Sequence, residues 1–387
     1  MSSFIKRELD FALNLLCQQD LSQSTVISPF SIALGLALLH SAAKGETRDQ
    51  IRYTLLKGAI DEELEQYFSE LTEILLEKSD EAEVQVYISN NVFIRGHKPI
   101  KRSYERRIRK KYEATIVPIG YVGKHATSDI INMYTEEKTH GHITQIIDAS
   151  EIDDNLGTIL ATTVFFKGLW SEKFDDHKTI KRAFHSSLDS SRQIDYLHKN
   201  GLMSYAESLT FQVISIPYGD RSFALNICLP KKRFGLKETL MRTSGTQFLN
   251  LLGNLGNQLV DVKIPKWKIE SSFRLDESLQ TLGIKQIFDP NRANFKNLAS
   301  GGFISTLTKL LFNTPHLSLR TLSQVAHKAT IEVNEEGTDA SGAMVQLRES
   351  VPNRKLPICN LIEFIADHPF LFVLVKDNHP IFMGVHH

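Results

Sequence analysis

Cysteine is scarce. There are only three in 387 residues, Cys17, Cys228 and Cys359, far apart, odd in number and in none of the metal or redox spacings. That excludes a disulfide framework and makes reduced thiols the expected state. Net charge is missing too, with 45 Lys and Arg against 45 Asp and Glu. A global attraction to nucleic acid or to an anionic membrane is therefore excluded, and any electrostatic function must be local. The start, Met1 to Glu8, lacks the uninterrupted apolar stretch of a secretory signal, and no Asn-x-Ser/Thr sequon occurs anywhere. A cytoplasmic protein is expected, with export by an unconventional route or a leader outside this sequence as the alternatives. Catalytic motifs are absent as well: there is no GxSxG elbow, no HExxH and no P-loop, and His140-Gly141-His142 alone is too little for a metal site. Neither enzymatic activity nor a cofactor or metal is expected.

What is present suits a soluble globular protein: 42% hydrophobic and 23% charged residues, enough for one large domain or two ordinary ones. The first third reads as helices. Ile5, Leu9, Leu13 and Leu16 share one helical face. Ser28-Pro29 begins a helix whose continuation, Phe30 to Leu39, is apolar on every face and too short to span a bilayer, so it belongs in a core. Thr47-Arg48-Asp49-Gln50 has capping-box spacing for the next helix. From Val84 on, β-branched and aromatic runs at 84–94, 158–166, 211–216 and 223–229 predict strands, with helices returning at 103–112, 128–139 and 275–282. Mixed runs without a linker predict a single α+β domain spanning 1–387.

Four groups of residues, in order, carry a family resemblance. Ser28-Pro29-Phe30-Ser31-Ile32 with Gly45-Glu46-Thr47-Arg48-Asp49-Gln50-Ile51 comes first, and Phe166-Lys167-Gly168-Leu169-Trp170 follows. His327-Lys328-Ala329 through Glu332-Val333-Asn334-Glu335-Glu336-Gly337-Thr338 and Ala366-Asp367-His368-Pro369-Phe370-Leu371-Phe372 complete the set. Together they resemble the serpin family from the first helix to the last strand. The resemblance implies a central mixed β-sheet A, two further sheets, about eight or nine helices, and an exposed reactive-centre loop at approximately 335–366. It also implies a monomeric suicide-substrate inhibitor of serine, and conceivably cysteine, endopeptidases. The protease is trapped as an acyl-enzyme while the cleaved loop inserts into the sheet, a standard instance of strand addition and released strain. The rival is a non-inhibitory member acting as chaperone, carrier or binding protein.

The residues themselves are competent for insertion. A central strand needs an N–H at each position, and no proline lies between Pro315 and Pro352. Alternation puts Thr338, Ala340, Gly342 and Met344 on one face and Asp339, Ser341, Ala343 and Val345 on the other, so the first set can be buried. The hinge is Glu336, Gly337, Thr338, Asp339, Ala340, Ser341, Gly342 and Ala343. Taken alone, such a composition makes only a flexible loop; bulky, charged or proline hinge residues would favour the non-inhibitory rival.

Family spacing places the reactive bond at Val351-Pro352, although a proline after a scissile bond suits few serine proteases. Arg348-Glu349 and Arg354-Lys355 are the alternatives. Val points to an elastase-like target and Arg to a trypsin-like one. The segments 353–362 and 301–313 read as loop insertions. By resemblance, Ser28, Ser31 and His327 belong to a polar cluster that controls sheet opening. Thr162 stands there in place of the family's usual Asn, which implies a weaker or water-bridged control point. Trp170 corresponds to a tryptophan near the loop's entry. The stretch 97–111 carries eight Lys and Arg, with Lys101, Arg102, Arg106, Arg109 and Lys110 as its candidate site. A solvated helix face is the first reading and binding of a glycosaminoglycan the second.

Overall fold

The structure, a computed structural model, describes residues 2–76, 83–95, 100–153, 157–298, 322–338 and 361–387. Its helices are α1 (Ser2–Leu16), α2 (Pro29–Ala42), α3 (Glu46–Leu55), α4 (Asp61–Leu76), α5 (Arg102–Tyr112), α6 (Lys124–Lys138), α7 (Leu236–Met241), α8 (Gly245–Gly253) and α9 (Asp276–Thr281). Its strands run from β1 (Thr25–Ile27), β2 (Val84–Arg95), β3 (Thr115–Ile119), β4 (Thr158–Leu169) and β5 (Ile180–His185) to β6 (Ser191–Glu207), β7 (Phe211–Pro217) and β8 (Phe223–Pro230). After these come β9 (Gly256–Pro265), β10 (Trp267–Arg274), β11 (Gln324–Val333), β12 (Gly337–Thr338), β13 (Ile362–Ile365), β14 (Phe370–Lys376) and β15 (His379–His386).

Local chemistry accounts for most of these boundaries. Ser28 Oγ accepts from the Ser31 amide and Pro29 opens α2, every residue of which is buried. The capping box expected at Thr47 does not form. Gly45 caps α3 with φ 58° and no side-chain bond, because the two polar side chains have tertiary partners instead. Thr47 Oγ1 donates to Gln286 Oε1 at 2.6 Å, and Gln50 Oε1 accepts from the amides of Lys285 and Gln286 at 3.0 and 2.8 Å. Helix α6 starts four residues before the expected 128, and the segment 301–313 lies outside the described residues.

The strands form two sheets among the described residues. A six-stranded mixed sheet has the order β10-β11-β12-β4-β2-β3, and a nine-stranded one runs β1-β15-β14-β8-β7-β6-β9-β13 with β5 on β6. The two outer sheets expected are continuous through the 17-residue β6, which pairs β5 and β9 along most of its length and β7 over Ser204–Glu207. One large apolar core, from Leu9 of α1 to Val385 of β15, fills the space between helices and sheets. A smaller cluster under α6 joins its Ile131 to Ile159 and Ala161 of β4 and to Ala326 of β11. Helix α6 therefore lies across the seam between β4 and β11.

That seam is the feature that positions the site. Strands β4 and β11 pair in parallel from Ile159↔Gln324 to Val164↔Ala329. Beyond that run the two separate and β12 sits between them, with Thr338 opposite both Val333 and Gly168 and with Gly337 opposite Leu169.

Candidate functional site

The turn joining β11 to β12 is tied down by its own asparagine. Asn334 N–H donates to the Gly337 carbonyl at 3.0 Å, and its Oδ1 accepts from the amides of Glu336 and Gly337 at 3.0 and 3.1 Å. The chain following β4 grips the same turn. Trp170 Nε1 donates to the Asn334 carbonyl at 2.9 Å, its amide to Glu336 at 3.0 Å, and the Phe174 amide to Glu335 at 3.0 Å. Glu335 accepts from Thr179 Oγ1 and Lys266 Nζ, both at 2.7 Å. Burial works to raise the pKa of that carboxyl, but the hydrogen bonds from Lys266 and Thr179 outweigh it and hold it below the usual range. Glu336 pairs with Lys173.

Two glycines from separate motifs meet at the entry. A Cβ on Gly337 would lie 2.0 Å from the Gly168 carbonyl oxygen, and one on Gly168 would lie 2.7 Å from the rings of Phe166 and Tyr218. Only glycine fits at either position. Thr338 is fully buried, as its place on the inward face requires, and its hydroxyl bonds to Tyr218 Oη at 2.6 Å. Tyr218 stacks on Trp170 at 4.6 Å and 20°, and burial pushes its phenol pKa up. Sequence reasoning found Trp170 and Gly337 but missed Tyr218, Asn334 and Glu335 as members of one site. Only the register brings them together.

The second cluster sits under the seam. His327, fully buried on β11, accepts from the Ser28 amide through Nε2 at 3.0 Å, which places its proton on Nδ1. That nitrogen faces the Thr162 carbonyl at 3.0 Å and Thr162 Oγ1 at 3.1 Å. Burial lowers the pKa of His327 to about 4, the bond to Thr162 opposing only in part. Ser28 Oγ donates to the Ile381 carbonyl at 2.7 Å. The contact of Thr162 with His327 is thus direct, where a water bridge was one expectation. Ser31 Oγ and both side-chain atoms of Asn90, the residue opposite Thr162 on β2, are buried without a partner. Asn90 is a member of the cluster that the sequence did not reveal, because the Asn90-Asn91 pair within a strand carries no signal of which side chain faces what.

Helix α5 exposes Arg102, Arg106, Arg109 and Lys110, none in an ion pair among the described residues. Lys101 instead donates to the Lys296 carbonyl at 3.1 Å, while Arg107 and Lys111 turn to Ser41 and Glu65. Of the remaining expected residues, Asp339, Ala340, Ser341, Gly342, Ala343, Arg348, Glu349, Val351, Pro352, Arg354 and Lys355 lie outside the described residues. The loop's expected end at 366 moves inward, since Ile362–Ile365 already forms β13, parallel to β9. No group of three or more metal-ligating side chains occurs among the described residues, and none of their helices is long and apolar enough to cross a membrane.

The comparisons with known proteins agree with one another. A family model described as Serpin (serine protease inhibitor) matches residues 6–387. Ipis-1 of Ixodes persulcatus is 28% identical over 389 residues, covering 97% of this chain and 96% of that protein. Intracellular coagulation inhibitor 2 of Tachypleus tridentatus is 27% identical over 372 residues, covering 93% and 85%. Among solved structures, the thermophilic serpin tengpin in its native state superposes with a TM-score of 0.86 at 24% identity, covering 100% of this chain and 94% of that one. Human thyroxine-binding globulin in complex with its hormone superposes at 0.83 with 22% identity, covering 99% and 97%. At these identities the structural likeness speaks for the fold.

Proposed function

The chain belongs to the serpin family, and from that premise we propose that it is a monomeric, single-use inhibitor that traps an endopeptidase as an acyl-enzyme by loop insertion. One observation carries the reading. Gly337 and Thr338 already occupy the first two places of a strand between β4 and β11, and below them the two strands are still paired to each other. Thr338 is buried on the face that small residues continue.

Continuing that antiparallel register down β4 puts one loop residue opposite each strand residue, ending with Arg348 opposite Thr158, the first residue of the strand. Cleavage at Val351-Pro352 leaves a short tether beyond the sheet, cleavage at Arg354-Lys355 a longer one, and cleavage at Arg348-Glu349 none. The register thus favours Val351 or Arg354 as the acylated residue, and with it an elastase-like or a trypsin-like target. Incubation with elastase-like, trypsin-like and chymotrypsin-like proteases should yield an SDS-resistant one-to-one complex with one of them. Mass spectrometry of the released fragment then reads the scissile bond. Cleavage by all three classes without any complex would move the protein to the carrier reading, for which the hormone complex of thyroxine-binding globulin is the precedent.

A polyanion is a second partner class, supported by the unpaired Arg102, Arg106, Arg109 and Lys110 on α5. Salt-dependent retention on heparin, lost in R102E/R106E/K110E, is the expected result; equal elution of both proteins would leave that face to solvent.

A further inference from the structure

Three leucines share one register line on the outer face of the nine-stranded sheet. Leu202 of β6 stands opposite Leu259 of β9. Strand β13 runs parallel to β9 with Ile362 opposite Val260, so Leu361, the residue before it, falls beside Leu259. The other face of the same strands carries Met203, Val260, Val262 and Phe364, all buried in the core. Leu202 and Leu361 are instead 67% and 50% exposed, Leu259 is half-buried, and none of the three belongs to the core or packs against it. A single exposed leucine is ordinary, whereas three abreast form a continuous apolar patch.

The next line of that face is polar, with Asn200, Asp261 and Glu363 abreast. Asp261 pairs with Lys263 and bonds to His198 Nε2 at 2.7 Å. Glu363 is exposed and in no ion pair among the described residues, so one carboxylate borders the leucines. The patch lies where the reactive loop returns to the sheet. Leu361 is ten residues beyond Val351 and seven beyond Arg354, which puts either candidate bond within about 25 to 35 Å of it along the chain. An endopeptidase of about 230 residues is roughly 45 Å across. A protease engaged at either bond therefore brings its own surface within reach of the patch.

We propose that Leu202, Leu259 and Leu361, with Glu363 at their border, form a secondary docking surface for the target protease, outside the reactive bond. It fits an apolar patch flanked by a lysine or arginine on the protease. Contact shuts the leucines off from water, and Glu363 meets the cation at the rim, where a charge acts on encounter more than on affinity. The surface raises the rate at which the protease is captured. Insertion takes place in the other sheet, among β4, β11 and β12, and does not involve it. The inference rests on the inhibitor reading and deepens it, adding a determinant of target choice that the reactive bond does not carry.

The test measures the second-order rate constant and the stoichiometry of inhibition for the native chain and for L202S/L259S. The probe is whichever of pancreatic elastase, trypsin and chymotrypsin gives the most SDS-resistant complex. Neither substituted residue lies in the loop. A rate constant lowered about tenfold or more is expected, at unchanged stoichiometry and with an unchanged rise of the unfolding midpoint after loop cleavage. E363K should lower the rate constant on its own at low salt, the difference closing at high salt. L202S, at an exposed position that spares the fold, gives a smaller drop in the same direction should the double variant misfold. Equal rate constants overturn the docking surface, while complex formation by the native chain leaves the inhibitor reading standing; no complex from the native chain removes both. A rise in stoichiometry at an unchanged rate constant assigns the patch to the chain's own loop, and dimers of the native chain that L202S/L259S abolishes assign it to a second copy. Either result also overturns the proposal.

Discussion

At the scale of single residues, the cluster around His327 shows how a buried polar group couples the fold to pH. The imidazole is neutral in the folded chain because burial lowers its pKa from 6.5 to about 4. The unfolded chain therefore takes up a proton that the folded chain refuses between those values. Its contribution to stability is complete above pH 6.5 and is lost as pH falls toward 4, up to about 3 kcal/mol. His386, lowered to about 3 by burial, adds loss in the same direction. Urea unfolding of the uncleaved chain at pH 7.0, 5.5 and 4.5 should show falling stability. In His327→Gln the loss should be distinctly smaller, His386 supplying what remains. An unchanged slope in the variant would show that His327 does not carry the effect. Thr162 is the other telling residue. The sequence flagged it as a departure from the family, and its carbonyl does as much as its hydroxyl in holding His327.

At the scale of elements, the two-residue strand β12 matters more than its length suggests. Thr338 has no exposed surface, and its hydroxyl is matched by Tyr218. A long cation there must either be buried unpaired, at a cost of several kcal/mol, or keep the hinge out of the sheet. Thr338→Arg is accordingly expected to shift the outcome with a susceptible protease from complex to cleaved, released loop by about tenfold or more. Densitometry of both products on one gel measures the partition, and an unaltered ratio would refute this account of the entry. Elements also show where local reading breaks down. Thr47 and Gln50 have the spacing of a capping box, yet Gln286 and its neighbours take both side chains. Capping is worth about 1 kcal/mol, so a buried tertiary hydrogen bond of similar strength can replace it.

At the scale of the whole molecule, the seam between β4 and β11 is a closed slot with an open upper end, crossed by α6. Filling it adds a strand's worth of backbone hydrogen bonds, each worth about 1 kcal/mol net. It also has to displace the apolar contact of Ile131 with Ile159, Ala161 and Ala326. On the proposed mechanism, the balance favours the filled state once the loop is cut. Cleavage by a protease that forms no complex should therefore raise the unfolding midpoint by tens of degrees, measured by circular dichroism; a midpoint that stays or falls would argue against insertion. Much of this architecture was readable in advance. Runs rich in β-branched and aromatic residues marked β2, β4, β7 and β8 to within three residues, and the wholly apolar run after Ser28-Pro29 became the buried α2. Those features rest on side-chain periodicity and backbone sterics, which act between neighbours along the chain. The sequence alone likewise established that the segment from Gly337 to Val351 is free of proline and begins with small residues. Tertiary structure decided what periodicity cannot encode: that Gly168 meets Gly337, that Asn90 lies opposite Thr162, and that Tyr218 closes over Thr338. Each depends on strand register and on close approach between segments distant in the chain, and both are set only when the core is packed.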